Sequence, residues 1–401
     1  MPETIKDRLH AVLATINRPG VFCATGSKLA ANPGLDVRGL GRITLPLTVH
    51  QANELKLCCE QAPYGKGELT VVDTSVRRVW KMEPEQFKIL NPDWTEFLKD
   101  AMTTVQMELG LAEQKLECHL YNLLLYEPGG FFLPHRDGEK LERMVATMVV
   151  LLPSTFEGGE LVVKHDGQIR TIDFSSKEFN PFHTHFAAFY ADCEHEVRPL
   201  HYGHRLALVY NLTLAKAKKA IRAPRTTQQV EAVAKVLRSW KSDEPMHKLA
   251  VILGHQYTKS GLSWNQLKGV DRTKATVLYA AAKLAECTAY LTKLELFESG
   301  SCEGTYRETR GRGWSVKPPP GEYKMEEVYE HSLTVADWVD AEGMQPGYDV
   351  MDVAIEEIIP REALTSIVPE EDYEGYTGNA GLTLDRWYRH AAIVLLSLIH
   401  I

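Results

Sequence analysis

Between Cys118 and Leu214 the chain spells six short runs of strand-forming residues, "CHLYNLLLY", "VATMVVLL", "GELVVK", "QIRTIDF", "HFAAFYAD" and "RLALVYNLTL". Turn chemistry separates most of them, and the Asp166-Gly167 pair in "KHDGQ" favours a tight hairpin, so "GELVVK" and "QIRTIDF" are expected to be antiparallel neighbours. Helical periodicity precedes these runs. "RITLPLTVHQANELKLCCEQAP" passes from strand-like alternation to a helical pattern after Thr48, and "DWTEFLKDAMTTVQMELGL" predicts a helix with Asp93 as its cap. Strands so dense, with helices before them, predict a β-sandwich or a closed barrel carrying outer helices.

From about Ala217 the texture changes. Helical periodicity in "TTQQVEAVAKVLRSW" and "RTKATVLYAAAKLAECTAYL", with a strand-like "KLAVIL" between them, predicts a second, α+β region. The expected division is therefore residues 1–215, with a barrel core at 116–214, followed by an accessory region at 216–395. The closing hexapeptide at 396–401, "LSLIHI", matches a translated sequencing-adapter end and is set aside from the fold as an artefact. The basic stretch "KAKKAIRAPR" reads as a solvated linker, and "KPPPGE" as an extended loop.

Composition narrows the functional classes. A net charge of -8 argues against broad attraction to nucleic acid or anionic membranes, and no segment carries the run of about 20 apolar residues that a membrane helix needs. The first residues form a helical stripe (Ile5, Leu9, Val12, Leu13, Ile16) without a signal peptide's apolar block. Seven cysteines, with no C-x-x-C spacing and with Cys58 beside Cys59, suit a reducing, cytoplasmic setting.

In "FFLPHRDGEK", His135 and Asp137 stand two residues apart just after the turn-forming "YEPGG". About one such H-x-D is expected by chance in a chain with this many histidines, so its position decides its meaning. It ends a predicted strand, and "CEHEVRPLHYGHRLAL" follows another strand about sixty residues later, bringing His195 and then Arg205. Two imidazoles and one carboxylate on one face of an octahedral Fe(II) leave the remaining positions open for a chelating co-substrate and dioxygen. His135, Asp137 and His195 could supply that face. Arg205, opening the next strand, would aim a guanidinium into the same mouth, suited to the far carboxylate of a dicarboxylate, and Tyr126 could add a hydroxyl donor.

With "YEPGGFFLPHRD", "FEGGELVV" and "HEVRPLHYGHR" in that order, the stretch from about Leu116 to Leu214 resembles the iron(II)/2-oxoglutarate-dependent dioxygenases, and within them the prolyl 4-hydroxylase-like branch. The resemblance implies a double-stranded β-helix, a jelly-roll or cupin-like barrel. His135, Asp137 and His195 would be the iron ligands and Arg205 the 2-oxoglutarate anchor, where many animal collagen hydroxylases use lysine. It implies Fe(II), 2-oxoglutarate and O2, with ascorbate admitted as a reductant. The reaction implied is oxidative decarboxylation to succinate and CO2, coupled to hydroxylation of an unactivated C–H bond on a protein or peptide side chain, or alternatively on a small molecule.

Two other readings use the same residues. A zinc-dependent hydrolase would bind a water at the three ligands but leave Arg205 without a dicarboxylate, and a non-catalytic barrel would keep only the fold. His183 and His185 are a rival metal pair, sharing a strand face but lacking a suitably spaced third ligand. In "YGKGELTVVDTSVRRVW", Arg77, Arg78 or Trp80 could touch substrate, because in this branch such a segment often lies over the barrel mouth. An ordinary strand with a solvated charged face is the alternative. The glycine- and aromatic-rich "YEGYTGNAGLTLDRWYRH" reads either as a functional loop or as packing between the two regions.

Overall fold

A computed structural model of the chain describes residues 4–16, 21–29, 32–66, 69–112, 114–165, 167–175, 182–215, 227–240, 247–259, 261–302, 324–374 and 383–397. Asp166, the basic stretch at 216–225 and "KPPPGE" lie outside them, as does the glycine-rich part of the loop expected near Tyr373. The chain divides into two compact units: a central one, Arg18–Ala217, and a flanking one in which Met1–Asn17 joins Lys218–Ile401. This corrects the expected grouping of the first helix, α1 (Ile5–Ala14), with the barrel region. Its apolar stripe of Ile5, Leu9 and Leu13 is buried in the flanking unit's core with Val233 and Leu237.

In the central unit the elements that frame the site run in chain order as β1 (Cys23–Lys28), α2 (Val49–Leu57), β2 (Glu60–Gln61), β3 (Arg77–Arg78), β4 (Trp80–Met82), α3 (Asp93–Glu108), β5 (Leu116–Tyr126), β6 (Phe131–His135), β7 (Met144–Leu151), β8 (Leu161–His165), β9 (Gln168–Ile172), β10 (Thr184–Tyr190), β11 (Glu194–Val197) and β12 (Arg205–Leu214). Thr48 caps α2 as its residue type suggests, its hydroxyl accepting from Gln51 N. Asp93 does not cap α3. It is the first helical residue, and its N–H is taken by the Asn91 side chain, so the acid sits in the first turn, where the helix dipole favours it.

A seven-stranded sheet has the order β1-β10-β7-β12-β5-β4-β2, and a five-stranded sheet the order β9-β8-β11-β6-β3. All pairings in both are antiparallel. β8 and β9 pair from Leu161↔Ile172 to His165↔Gln168, the hairpin that the Asp-Gly turn favours. Leu124, Met148, Phe186 and Leu208 of the larger sheet share one apolar core with Phe132, Leu161, Val163 and Val197 of the smaller. The fold is thus mixed and strand-rich. Among the described residues no strand pairing joins the two sheets, so they do not close into a continuous hydrogen-bonded barrel.

The flanking unit adds α4 (Thr227–Arg238), β13 (Lys248–Ile252), α5 (Gly269–Leu284), β14 (Cys287–Cys302), β15 (Met325–Val339), β16 (Met351–Asp352), β17 (Ile358–Ile359), β18 (Glu370–Glu374) and β19 (Thr383–Ser397). These strands form one sheet in the order β16-β15-β14-β19-β13-β17, with β18 also on β19. The helical pattern expected to run through "CTAYL" stops at Leu284, and Cys287 opens a 16-residue strand instead. β-Branched and aromatic residues at alternate positions there suit the pleat better than a helix face. Leu396 and Ser397, set aside with the closing hexapeptide, extend β19 opposite Lys248 and Cys287. No described helix is long and apolar enough to cross a membrane.

Candidate metal centre

His135 ends β6 and His195 lies in β11, and the two are direct partners in the antiparallel register. Side chains at directly opposed positions share a sheet face, so pairing alone places the rings together, 4.2 Å between centres. Asp137 follows β6 by two residues and its N–H is held by the Ala191 carbonyl. One donor atom from each of the three residues lies within 4.8 Å of the others, and His195 Nε2 is 3.8 Å from Asp137 Oδ2. Those separations suit three ligands on a shared ion at about 2 Å from each. Phe132 stacks on His135 at 3.4 Å and Phe189 lies 4.4 Å from His195, giving the donors a dry flank.

The hydrogen bonds around the triad fix its protons. His135 Nδ1 faces the Leu133 carbonyl at 2.8 Å, and His195 Nδ1 faces the Cys193 carbonyl at 3.1 Å. A carbonyl only accepts, so each ring carries its proton on Nδ1 and leaves Nε2 with a free lone pair. Thr147 Oγ donates to Asp137 Oδ2 at 2.6 Å, orienting the carboxylate. Burial, then the neighbouring His195, push the His135 imidazole down to about 3, against the pull of Asp137. Burial opposes ionisation of Asp137, but His195, His135 and the Thr147 hydroxyl outweigh it and hold its carboxyl below the usual range. Neutral imidazoles and an ionised carboxylate are the states in which these groups bind a cation.

The triad opens into a cavity of about 480 Å³ that Arg205 and Tyr126 also line. Arg205 is paired in register with Tyr126, only 2 % exposed, and stacked over the tyrosine ring at 4.8 Å. The Tyr126 hydroxyl is its hydrogen-bonding neighbour, and burial lowers the guanidinium's pKa. Its Nε has no partner, and among the described residues no carboxylate pairs with it. The Gly-Gly of "FEGGELVV" makes room for it. Gly159 has φ +73°, and a Cβ there would stand 2.9 Å from Leu200 Cδ1 and 3.5 Å from Arg205 Cδ.

The expected triad, Arg205 and Tyr126 thus line one cavity, and so does Arg77, one of the three residues expected near substrate, whereas Arg78 and Trp80 do not. His183 and His185 join no metal-binding group among the described residues. Trp80 instead donates to Glu127, which also binds Lys56. Thr147 and the buried Asn122 and Asn211 went unremarked in the sequence, although each is a polar residue at a buried position of an otherwise apolar strand.

Residues 121–213 match the family model of the 2OG-Fe(II) oxygenase superfamily. The chain carries a 2OG-Fe(II) oxygenase domain. That family implies Fe(II), 2-oxoglutarate and dioxygen, and the domain is that of a dioxygenase. Among solved structures the chain is similar to a Pseudomonas putida prolyl-4-hydroxylase, at 18% identity over 52% of this chain and 100% of that one, TM-score 0.32. It is also similar to a Trichoplax adhaerens prolyl hydroxylase in complex with a hypoxia inducible factor oxygen degradation domain peptide fragment, at 13% identity over 52% and 90%, TM-score 0.34. A third is the viral collagen prolyl hydroxylase of Paramecium Bursaria Chlorella virus-1, at 14% over 49% and 98%, TM-score 0.28. No curated protein matches the chain.

Proposed function

We propose that the oxygenase domain hydroxylates a C–H bond of a protein or peptide side chain, prolyl 4-hydroxylase-like, with succinate and CO2 as co-products. His135, Asp137 and His195 would hold Fe(II), and Arg205 with Tyr126 the far carboxylate of 2-oxoglutarate. The observation that carries this reading is the Arg205 guanidinium, buried without a carboxylate partner in the cavity that the triad opens into. An unpaired buried charge costs on the order of several kcal/mol, so a fold that keeps one has an anion to receive. A zinc hydrolase would leave that charge uncompensated. The two antiparallel sheets with a common core support a double-stranded β-helix, and the order of motifs from Tyr126 to Arg205 supports the prolyl 4-hydroxylase-like branch.

Bound iron supplies the redox chemistry that couples decarboxylation of 2-oxoglutarate to hydroxylation by dioxygen. The chain does the positioning. The Leu133 and Cys193 carbonyls lock the imidazole tautomers, and Thr147 fixes the carboxylate. Phe132 and Phe189 keep water from the imidazole faces. Arg205 and Tyr126 offer a planar donor pair to one end of the co-substrate, which directs its other end toward the triad. None of the seven cysteines forms a disulfide, which supports a reducing, cytoplasmic setting.

The test is succinate formation from 2-oxoglutarate in air after anaerobic Fe(II) loading, with and without ascorbate as reductant, for the wild type and Asp137→Ala. Slow turnover without acceptor that the variant loses is the expected result. Equal succinate from both proteins would defeat the assignment.

A further inference from the structure

A second arginine in the same cavity has no ion pair of its own, although it feels the Asp137 carboxylate across the cavity. Arg77, on β3, stands opposite Phe132 of β6, with its guanidinium carbon 4.4 Å from the centre of that ring. Phe132 in turn stacks on His135, so the cation lies one ring away from the triad. Its Nη1 donates to the Pro63 carbonyl at 2.6 Å, whereas its Nε is buried and has no partner. Among the described residues no carboxylate forms an ion pair with it. The one acid lining the cavity is Asp137, already taken by Thr147 and facing the two imidazoles.

The charges of the loaded cavity can be balanced group by group. A divalent iron and Arg205 on one side match Asp137 and the 2-oxoglutarate dianion on the other. Arg77 remains, and arginine stays protonated even when buried. With Nη1 engaged by the Pro63 carbonyl and Nε covered, Nη2 carries the N–H groups it can offer to a carboxylate. Lys81, which also lines the cavity, is matched by Glu60 and Glu83, so among the described residues Arg77 is the one buried cation left over, and a monoanion would match it. At the exposed rim, Arg136 and Lys140 add positive charge that would draw an anion inward. A purely structural strut from Pro63 to Phe132 would not require the Nε to be buried and empty.

We propose that Arg77 binds a carboxylate on the acceptor, so that the enzyme hydroxylates a carboxylate-bearing substrate, either an acidic peptide or a small organic acid. This rests on the reading that the cavity takes Fe(II) and 2-oxoglutarate.

The test uses the full chain loaded anaerobically with Mn(II) and saturated with 2-oxoglutarate, reading paramagnetic relaxation of probe protons by NMR. Matched probes differ only in charge: propionate against propionamide, and acetyl-Gly-Asp-Gly-amide against acetyl-Gly-Asn-Gly-amide. The acids should bind near the ion at least about tenfold more tightly than the amides in the wild type, Arg77→Gln should abolish that preference, and Arg77→Lys should retain part of it. Preference for the peptide acid identifies a side-chain carboxylate, and preference for propionate a free acid. Equal relaxation by acids and amides in the wild type, a comparison that needs no variant, would overturn the proposal. So would an acid preference that survives Arg77→Gln, or a loss of 2-oxoglutarate affinity in that variant, which would make Arg77 a co-substrate ligand. If the wild type binds no 2-oxoglutarate, the functional reading itself fails, and that result is seen before any probe is added.

Discussion

Asp271 in the flanking unit and Arg205 in the central one are almost equally buried, 1 % and 2 % exposed. The Asp271 carboxylate accepts from Gly254 N, His255 N and the Tyr257 hydroxyl at 2.8–3.0 Å. Other deeply placed charges of that unit behave alike: Glu357 takes Lys248 and the Ala354 N–H, and Arg386 pairs with Glu371 at 2.8 Å. The half-buried Arg8 Nε is the charged exception there, and Gln266 Oε1 and Thr288 Oγ1 are uncharged ones. In the central unit, Arg205 and Arg77 both keep an unpartnered buried Nε and Asn122 an unpartnered Oδ1, and these three residues line the cavity of the triad, whereas Arg143 Nε, Gln61 Oε1 and the Gln114 amide lack hydrogen-bond partners away from it. A charge satisfied by its own chain is part of a structure. Charges left open around one cavity mark where something else is meant to bind.

That contrast can be broken at its strongest point. Arg205→Gln should raise the 2-oxoglutarate dissociation constant by about 2–5 kcal/mol, roughly 30-fold to several thousand-fold, while Fe(II) affinity holds, measured by anaerobic titration. Unchanged co-substrate affinity would make Arg205 structural, like its counterparts in the flanking unit. Asp271→Ala should do the reverse. Stranding three donors should cost about 2–4 kcal/mol in urea unfolding, with succinate formation per folded molecule unchanged at low temperature.

The smallest effect concerns a property that the units share, since each buries an imidazole. His390 Nε2 meets the Leu364 carbonyl, and burial keeps its pKa below the ordinary value. Burial, reinforced by His183, pushes His185 down to about 4. The unfolded chain takes up that proton near pH 6.5 and the folded one only near 4. The contribution of His185 to stability is therefore whole above about pH 6.5 and drains away as pH falls toward 4. One unit below the ordinary imidazole value the loss should be about 1 kcal/mol, seen as a drop in urea midpoint that His185→Gln lacks.

The long apolar runs announced the larger sheet because their period and β-branched content are unmistakable, and β7, β10 and β12 fall where those runs lie. The short strands that carry the imidazoles were harder to read. Phe131–His135 contains Pro134, and Glu194–Val197 alternates charged residues with its apolar one, features that usually mark an edge or no strand at all. Their pairing was legible only through the chemistry of His135, Asp137 and His195. In the flanking unit the long strands at Cys287–Cys302, Met325–Val339 and Thr383–Ser397 stayed hidden because charged residues such as Glu295, Glu298, Arg386 and Arg389 interrupt the apolar pattern. Only the register shows their use: Arg389 pairs with Glu295 and Glu370, and Arg386 with Glu371, on neighbouring strands. Thr147 was unreadable as a site residue for a related reason, and Arg77 stood only as one of three candidates beside Arg78 and Trp80, since what matters is which side chain the fold turns toward the cavity, and sequence does not carry that.

Anaerobic equilibrium dialysis of Fe(II) and 2-oxoglutarate against the wild-type chain puts the assignment of the cavity most directly at risk. One iron and one 2-oxoglutarate per chain, with the second bound tightly only when the first is present, is what the arrangement of triad and Arg205 requires. Co-substrate binding indifferent to iron, or iron that binds with no effect on 2-oxoglutarate, would contradict it.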